Sequence, residues 1–448
     1  MVISSNSEYT TKLSLRINRQ NLLLFICFFL SSISPVAVIA FATISILYYN
    51  AKNDSIGLAK AFALYVLRVS AMNHVLFAPV TYGAIKYALM VAYALSLIIM
   101  TKANYTRKNK IIRIAIPLII YGGYTTIVSL LNGSYPVVSL IKLTLFIIAF
   151  YSILKTVAYT IDSFDWIDYF YKWYRLVMLI CVISIPFGIL RTKNGHALQG
   201  IFDHPNIFAI YCAMFITLWL SKKEKKIIDC LFLPVILFMQ YLSEARTGMF
   251  ASLIIIAVFL LFKYRHRLHK IVLLGIGVLI VIYTAITVFP EAFGSVTSKI
   301  SEFVWKSADD NLFYSRTGQI ERFLTRFSDH PLWGSGFMAP YEPGKRSFEI
   351  AFDLYIEQGN LFFAILGETG IIGLLFWLLL YGNIYVCGNK DNTYMFITPI
   401  VISMGEMAFF STNSIGMMFY FVFAIYYFSY ETNKINNGAQ YEQAKTFS

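Results

Sequence analysis

Charge is scarce in this chain: only 14% of its 448 residues are Asp, Glu, Lys or Arg, against 58% hydrophobic. A soluble fold could not cover such apolar runs with so little polar surface, which excludes an ordinary soluble globular domain. Cysteine is sparse too. Cys27, Cys181, Cys212, Cys230 and Cys387 lie within or beside apolar runs with no paired loop spacing, so neither a disulfide framework nor a cysteine-based metal site is read. No Asp-x-Asp occurs on any loop, so the metal-and-nucleotide arrangement of sugar-nucleotide transferases is missing, and no metal or other cofactor is expected. No repeat links the two halves by eye, which disfavours a transporter built from duplicated bundles.

What is present is an excess of basic residues, +13 overall, gathered in short clusters. No basic patch interleaves with exposed aromatics in a soluble module, so nucleic acid is not an expected partner. The clusters at 221–226 (SKKEKK), 263–270 (KYRHRLHK) and 106–113 (TRKNKIIR) instead read as cytoplasmic anchors. A span needs about 20 apolar residues to cross the hydrocarbon. Candidates lie near 22–48, 82–100, 114–131, 136–154, 176–190, 207–220, 227–242, 248–262, 272–289, 361–380, 394–410 and 415–428. The basic clusters follow even-numbered spans, as they should if those spans return to the cytoplasm. The expected fold is therefore all-α, a polytopic integral membrane protein of about twelve transmembrane helices. Residues 1–21 and 431–448 are expected to be cytoplasmic tails, around a transmembrane domain at 22–430. The polar, basic first twenty residues show no small-residue cleavage site, so the first span is expected to direct insertion.

Two loops break the rhythm. The first contains an amphipathic stretch at 58–69, expected to lie on the outer surface as an interfacial helix. The second, 290–360 between spans 9 and 10, balances acids and bases and is too long to be a plain connection. Within it Ile320, Phe323, Leu324 and Phe327 make a helical apolar stripe, with Arg322 and Arg326 four apart on another face. On the inner side, Asp162, Asp165 and Asp168 interleave with Phe164, Trp166, Tyr169 and Trp173, a pattern suited to an aromatic-belt helix.

Four short segments map to the outer face. In 200–206 (GIFDHPN), Pro205 suits a first helical turn that Asp203 or His204 would cap, and Asn206 follows. In 243–248 (SEARTG), Arg246 sits at the membrane surface, where an ionisable residue is a functional candidate, with pairing to Glu244 as the structural alternative. In 314–337 (YSRTGQIERFLTRFSDHPLWGSGF), Arg316 opens a helix and a turn with Pro331, Gly334 and Gly336 ends it. In 358–374 (QGNLFFAILGETGIIGL), the chain re-enters the membrane with Asn360 at the mouth and Glu368, Gly370 and Gly373 further in.

Taken together, these segments resemble the O-antigen ligase and polymerase superfamily of bacterial surface-polysaccharide assembly, over roughly 195–385. The resemblance implies that Arg246 and Arg316 hold the diphosphate of a polyprenyl-linked glycan. Ligases of the family also carry a His-Asn pair before the late span; here the pair falls on Gly359 and Asn360, so the histidine is missing and the polymerase branch is favoured. The chemistry agrees, because a leaving diphosphate needs its charge stabilised and Arg binds two phosphate oxygens at once. Even-numbered spans also start at the outer face, with their N-terminal N–H groups toward an anion there.

The expected activity is a glycosyltransferase: an O-antigen or capsular polysaccharide polymerase. It moves a growing glycan from undecaprenyl diphosphate onto the non-reducing end of a lipid-linked repeat unit, at the periplasmic face of the inner membrane. Catalytic roles are expected for Arg246, Arg316, Glu357 and His204, with Glu357 preferred as base over Asp353, His204 and Glu349. Arg322, Arg326, Asn206, Asn360 and Lys142 are the expected substrate-binding residues, with Glu406 a simple partner for Lys142. Partners would be the lipid-linked oligosaccharide, membrane lipids and a chain-length regulator protein. Two alternatives stay open: a ligase moving polymer to lipid A core, and a lipid-linked oligosaccharide transporter.

Overall fold

The computed structural model describes residues 19–73, 76–78, 83–101, 105–192, 195–225, 227–267, 314–338, 360–406, 408–412 and 414–429, with isolated positions between 269 and 298. Among these the secondary structure is helical, apart from one isolated bridge between Arg191 and Leu198. The helices are α1 (Arg19–Leu30), α2 (Pro35–Ala51), α3 (Ser55–Ser70), α4 (Gly83–Met100), α5 (Tyr105–Asn132), α6 (Pro136–Thr160) and α7 (Trp166–Ser184). After them come α8 (Pro205–Ser221), α9 (Ile227–Leu242), α10 (Arg246–Lys263), α11 (Tyr314–Asp329), α12 (Leu361–Cys387), α13 (Thr393–Gly405) and α14 (Ile415–Ser429).

Among the described residues, five helices are long and apolar enough to cross a membrane: α4, α5 from Arg107, α6, α10 and α12. Shorter apolar helices include α2, α8, α14 and α9 from Asp229. This is an all-α membrane protein. Several expected spans are reshaped. The run at 22–48 is two helices, because Ser34 caps α2 through a bond from Ala37 N–H (3.2 Å) and Pro35 sits at its first turn. The aspartate-aromatic stretch is the first half of α7, with Asp165 as its N-cap. Trp166, Tyr169 and Trp173 are buried in the protein, so they pack its core where an interfacial belt was expected. The expected span at 272–289 lies largely outside the described residues, as does most of 290–360.

The 58–69 stretch also differs from its expectation. It belongs to α3, which is buried almost end to end, including Lys60 and Arg68. Arg68 is tolerated there because backbone carbonyls take its donors. Nε and Nη2 reach Ser31 O (3.1 and 3.0 Å), Nη1 reaches Ala71 O (2.9 Å), and Nη2 also reaches Ala78 O (2.8 Å). Lys60 lies 4.2 Å over the Phe164 ring. Amphipathicity in the sequence therefore reported polar groups with internal partners rather than a wet face.

Helix α4 packs on α6, α6 on α5, and α5 on α12, while α8 packs on α10 and α10 on α13. Small residues permit the closest approach. A Cβ added at Gly248 of α10 would overlap Ala209 of α8, and the Gln240 amide of α9 ties that contact to Ala209 O, Gly248 O and Ser252 Oγ (3.1, 3.2 and 2.8 Å).

Candidate functional site

The starts of α8, α10 and α12 lie beside the end of α13. At the start of α8, Pro205 occupies the first turn and the N-cap His204 accepts the Asn206 N–H at Nδ1 (3.2 Å). The Asn206 side chain then donates Nδ2–H to Glu406 Oε1 (2.6 Å), immediately past α13. At the start of α10, a Cβ added to Gly405 would come within 2.7 Å of Thr247 Cβ, so Thr247, next to Arg246, also meets the end of α13. At the start of α12, Asn360 Oδ1 accepts from Phe362 N (3.0 Å) and Phe363 N (3.4 Å), while Nδ2 donates to Met404 O (3.2 Å). Asn206, Thr247 and Asn360 thus each hold the same short stretch, 404–406.

The electrostatic consequence follows from backbone dipoles. Each helix start carries roughly +0.5 of an elementary charge, and several converging starts favour an anion. His204 and Asn360 cap α8 and α12, whereas Ala245, the N-cap of α10, makes no side-chain cap bond. The first residue of α10 is the half-buried Arg246. Against this positive end the Glu406 carboxylate is buried, and Asn206 is one of its donors. Sequence reasoning saw Glu406 only as a partner for Lys142; three neighbouring helix starts were the missing signal, invisible without the fold. Among the described residues, no three His, Cys, Asp or Glu side chains gather into a metal-binding group.

The second half of the site is built on a broken helix. α12 is interrupted at Gly370 (φ 65°, ψ −169°), a backbone state essentially restricted to glycine. Segment 331–338 satisfies the groups that the break releases. Ile371 N–H donates to Pro331 O (3.0 Å) and Ile372 N–H to Leu332 O (3.3 Å), while Gly336 N–H donates to Glu368 O (2.9 Å) and Ser335 Oγ to Gly367 O (2.8 Å). Tyr124 Oη of α5 lies within hydrogen-bond reach of Thr369 O (3.0 Å), Leu332 O and Trp333 O (both 3.2 Å), to which its one proton can go in turn. Asn132 Nδ2 reaches Gly334 O (3.0 Å) and Lys142 Nζ reaches Met338 O (3.1 Å). An aromatic floor joins the two halves: Phe337 lies 5.1 Å from Phe410, and Phe410 5.0 Å from Phe146.

The structure sorts the expected site residues. Arg246, His204, Asn206 and Asn360 come together at the helix starts. In that arrangement His204 Nδ1 is occupied as the acceptor of the α8 cap bond. Arg316 lies in the first turn of α11, but its side chain is outside the described residues, as are Glu357, Asp353 and Glu349. Arg322 is exposed and donates Nε–H to Gly318 O (2.9 Å). Arg326 departs from expectation: it is only 4% exposed, turned inward with Phe323, while Leu324 of the expected apolar stripe is 48% exposed. Packing on α12 set this rotation, because Gly367 leaves room for Phe323 and the Arg326 stem. Burial lowers the Arg326 pKa from its ordinary value, the Glu368 charge opposes that, and Arg322 adds to the lowering.

Residues 230–378, about a third of the chain, match the family model for O-Antigen ligase. The match spans α9, α10, α11 and the first part of α12, the elements that carry Arg246, Arg316 and the Gly370 break. The matched segment supports the resemblance to the O-antigen ligase and polymerase superfamily. No curated protein matches the chain.

Proposed function

We propose that this protein is a polysaccharide polymerase of the bacterial inner membrane, joining lipid-linked repeat units of O-antigen or capsule at the periplasmic face. The observation that carries the reading is Arg246 as the first residue of α10, among the converging starts of α8 and α12, inside the segment matched by the family model. Such an end suits a diphosphate, which gains a bidentate guanidinium and backbone N–H donors together.

In the reaction, a sugar hydroxyl of the acceptor attacks the anomeric carbon of the donor glycan. The C–O bond to the polyprenyl diphosphate breaks, and its electron pair leaves on the phosphate oxygen. Arg246 and Arg316 stabilise the charge that grows there, which lowers the barrier most if they are already oriented. The hydroxyl proton goes to a carboxylate, with Glu357 the preferred acceptor. Glu406 acts through Asn206 to hold the α8 start. Arg322 and Lys142 flank the glycan, and Asn206 and Asn360 act through the helix ends they fix. A chain-length regulator protein is a further proposed partner.

A ligase reading has its own support in the family model's description. Against it stands Gly359 where ligases carry histidine, with the neighbouring Asn360 engaged in capping α12. The test is the polysaccharide ladder of a deletion strain complemented with wild type, Arg246→Ala or Arg316→Ala, each inserted at normal levels. A polymerase predicts a single-repeat band in the deletion, restored to a ladder by wild type alone. Long chains left on the carrier would indicate a ligase, and full ladders from both Arg variants would refute the assigned roles.

A further inference from the structure

One buried carboxylate draws two cations together at the end of α8, opposite the start that holds His204. Asp229, near the start of α9, is fully buried and accepts from Tyr171 Oη of α7 at 2.6 Å. Lys222 Nζ, just past α8, stands 3.4 Å from Asp229 Oδ2, and Arg175 Nη1 of α7 stands 3.6 Å from Oδ1. Both cations also lie against the Tyr171 ring, 4.5 and 5.7 Å from its centroid. That ring is backed by Phe215 of α8, stacked on it at 5.3 Å. Two cations therefore crowd one ring and share one carboxylate, which leaves a positive charge in excess. Charge-assisted hydrogen bonds run at about 2.7–2.9 Å, so Asp229 orients both cations without using up their donors. Both reach the surface, Arg175 37% exposed and Lys222 18%. The 221–226 loop adds four lysines against one glutamate. Leu179 and Ile183 follow Arg175 at four-residue spacing along α7, and both are exposed. A cationic head thus caps an exposed apolar stripe.

We propose that Arg175 and Lys222 hold the phosphate of an anionic glycerophospholipid, with one acyl chain lying along Leu179 and Ile183. A water-soluble anion would use the cations alone, whereas a lipid uses the cations and the stripe together. The basic clusters put this end on the cytoplasmic side under the positive-inside rule, so the lipid belongs to the inner leaflet. Its phosphodiester accepts from the guanidinium and the ammonium, cancels the excess charge, and ties α7 to the end of α8. The site lies at the other end of α8 from the proposed glycosyl transfer and takes no part in it.

The test uses the full chain in a nonionic detergent, titrated with palmitoyl-oleoyl phosphatidylglycerol or phosphatidylcholine, with native mass spectrometry reading Kd for the first bound lipid. Phosphatidylglycerol should bind about ten-fold tighter than phosphatidylcholine, the effect of one charge-assisted hydrogen bond. Arg175→Gln with Lys222→Gln should abolish that preference. Lys263→Gln with Arg265→Gln, two exposed cations at the end of α10, should keep it. Lys222→Gln alone, outside the helices, should lose part of the preference and covers the case in which the double variant does not fold. An equal loss in the α10 control would make the attraction diffuse, and full preference in the Arg175 and Lys222 variants would leave those residues as structural partners of Asp229. Either result overturns the proposal. Inorganic phosphate is the competitor: if it displaces phosphatidylglycerol at equal concentration, the site takes a free anion and the lipid assignment fails.

Discussion

Replacing Gly370 with alanine should be among the most damaging single-methyl changes available in this protein. The residue holds φ 65° and ψ −169°, where an L-residue stores roughly 1–3 kcal/mol of backbone strain. The added Cβ would also overlap the Leu332 carbonyl and lie 2.7 Å from Trp333 N. These are main-chain atoms; the Leu332 carbonyl accepts from Ile372 N–H with Tyr124 Oη also in reach, and its neighbour Pro331 accepts from Ile371 N–H, so they cannot swing aside as a side-chain tip would. Relief would require losing at least one of those bonds, adding about 1 kcal/mol. The expected total is then about 3 kcal/mol. Gly382, farther along the same helix, is the control, because nothing lies within 4 Å of its Cβ position. There alanine should be neutral or stabilising by up to about 1 kcal/mol through helix propensity alone. Thermal unfolding of both variants in one detergent, beside their polysaccharide ladders, reads the contrast. Gly370→Ala should unfold earlier and lose long chains, while Gly382→Ala should match or exceed wild type. Equal stability of the two variants would refute the argument that the break at Gly370 is clamped by the loop.

Two further perturbations probe separate regions. Asn360→Ala should cost about 1 kcal/mol by removing the α12 cap, while Asn360→Asp should keep the cap but lose the donor to Met404 O, so it should fall between wild type and the alanine variant; an alanine variant as stable as wild type would refute the capping role. At the opposite ends of α8 and α9, Asp229 is fully buried, accepting from Tyr171 Oη (2.6 Å) with Lys222 Nζ at 3.4 Å and Arg175 Nη1 at 3.6 Å. The two cations are partly exposed and can turn to water, so Asp229→Ala should cost about 2 kcal/mol, mainly through the lost Tyr171 bond, and Asp229→Asn about half that. Denaturant titration checks both, and no loss in either variant would show that the cluster is not a stabilising one.

Much of the helix placement was legible locally. Pro205 with a polar residue before it announced the start of α8, and the periodicity of 314–329 announced α11, because capping and 3.6-residue repetition act over a single turn. Burial was less legible. In 58–69 the polar residues suggested a wet face, but Arg68 finds backbone carbonyls contributed by Ser31 and Ala78, which are distant in sequence. The rotation of α11 was misjudged for a similar reason. Which of Leu324 and Arg326 turns inward depends on the surface offered by α12, and Gly367 offers it to Arg326.

The sequence by itself determined that this chain is a helical membrane protein and which short segments carry its unusual polar groups, since hydropathy and charge placement are properties of the chain alone. It also carried the family resemblance that the matched segment supports. Only the tertiary structure decided that the starts of α8, α10 and α12 meet at one short stretch ending in Glu406, and that segment 331–338 locks the break in α12. Both arise from contacts between residues 200 or more positions apart, such as Asn206 with Glu406 and Tyr124 with Thr369, and no local pattern encodes such a separation.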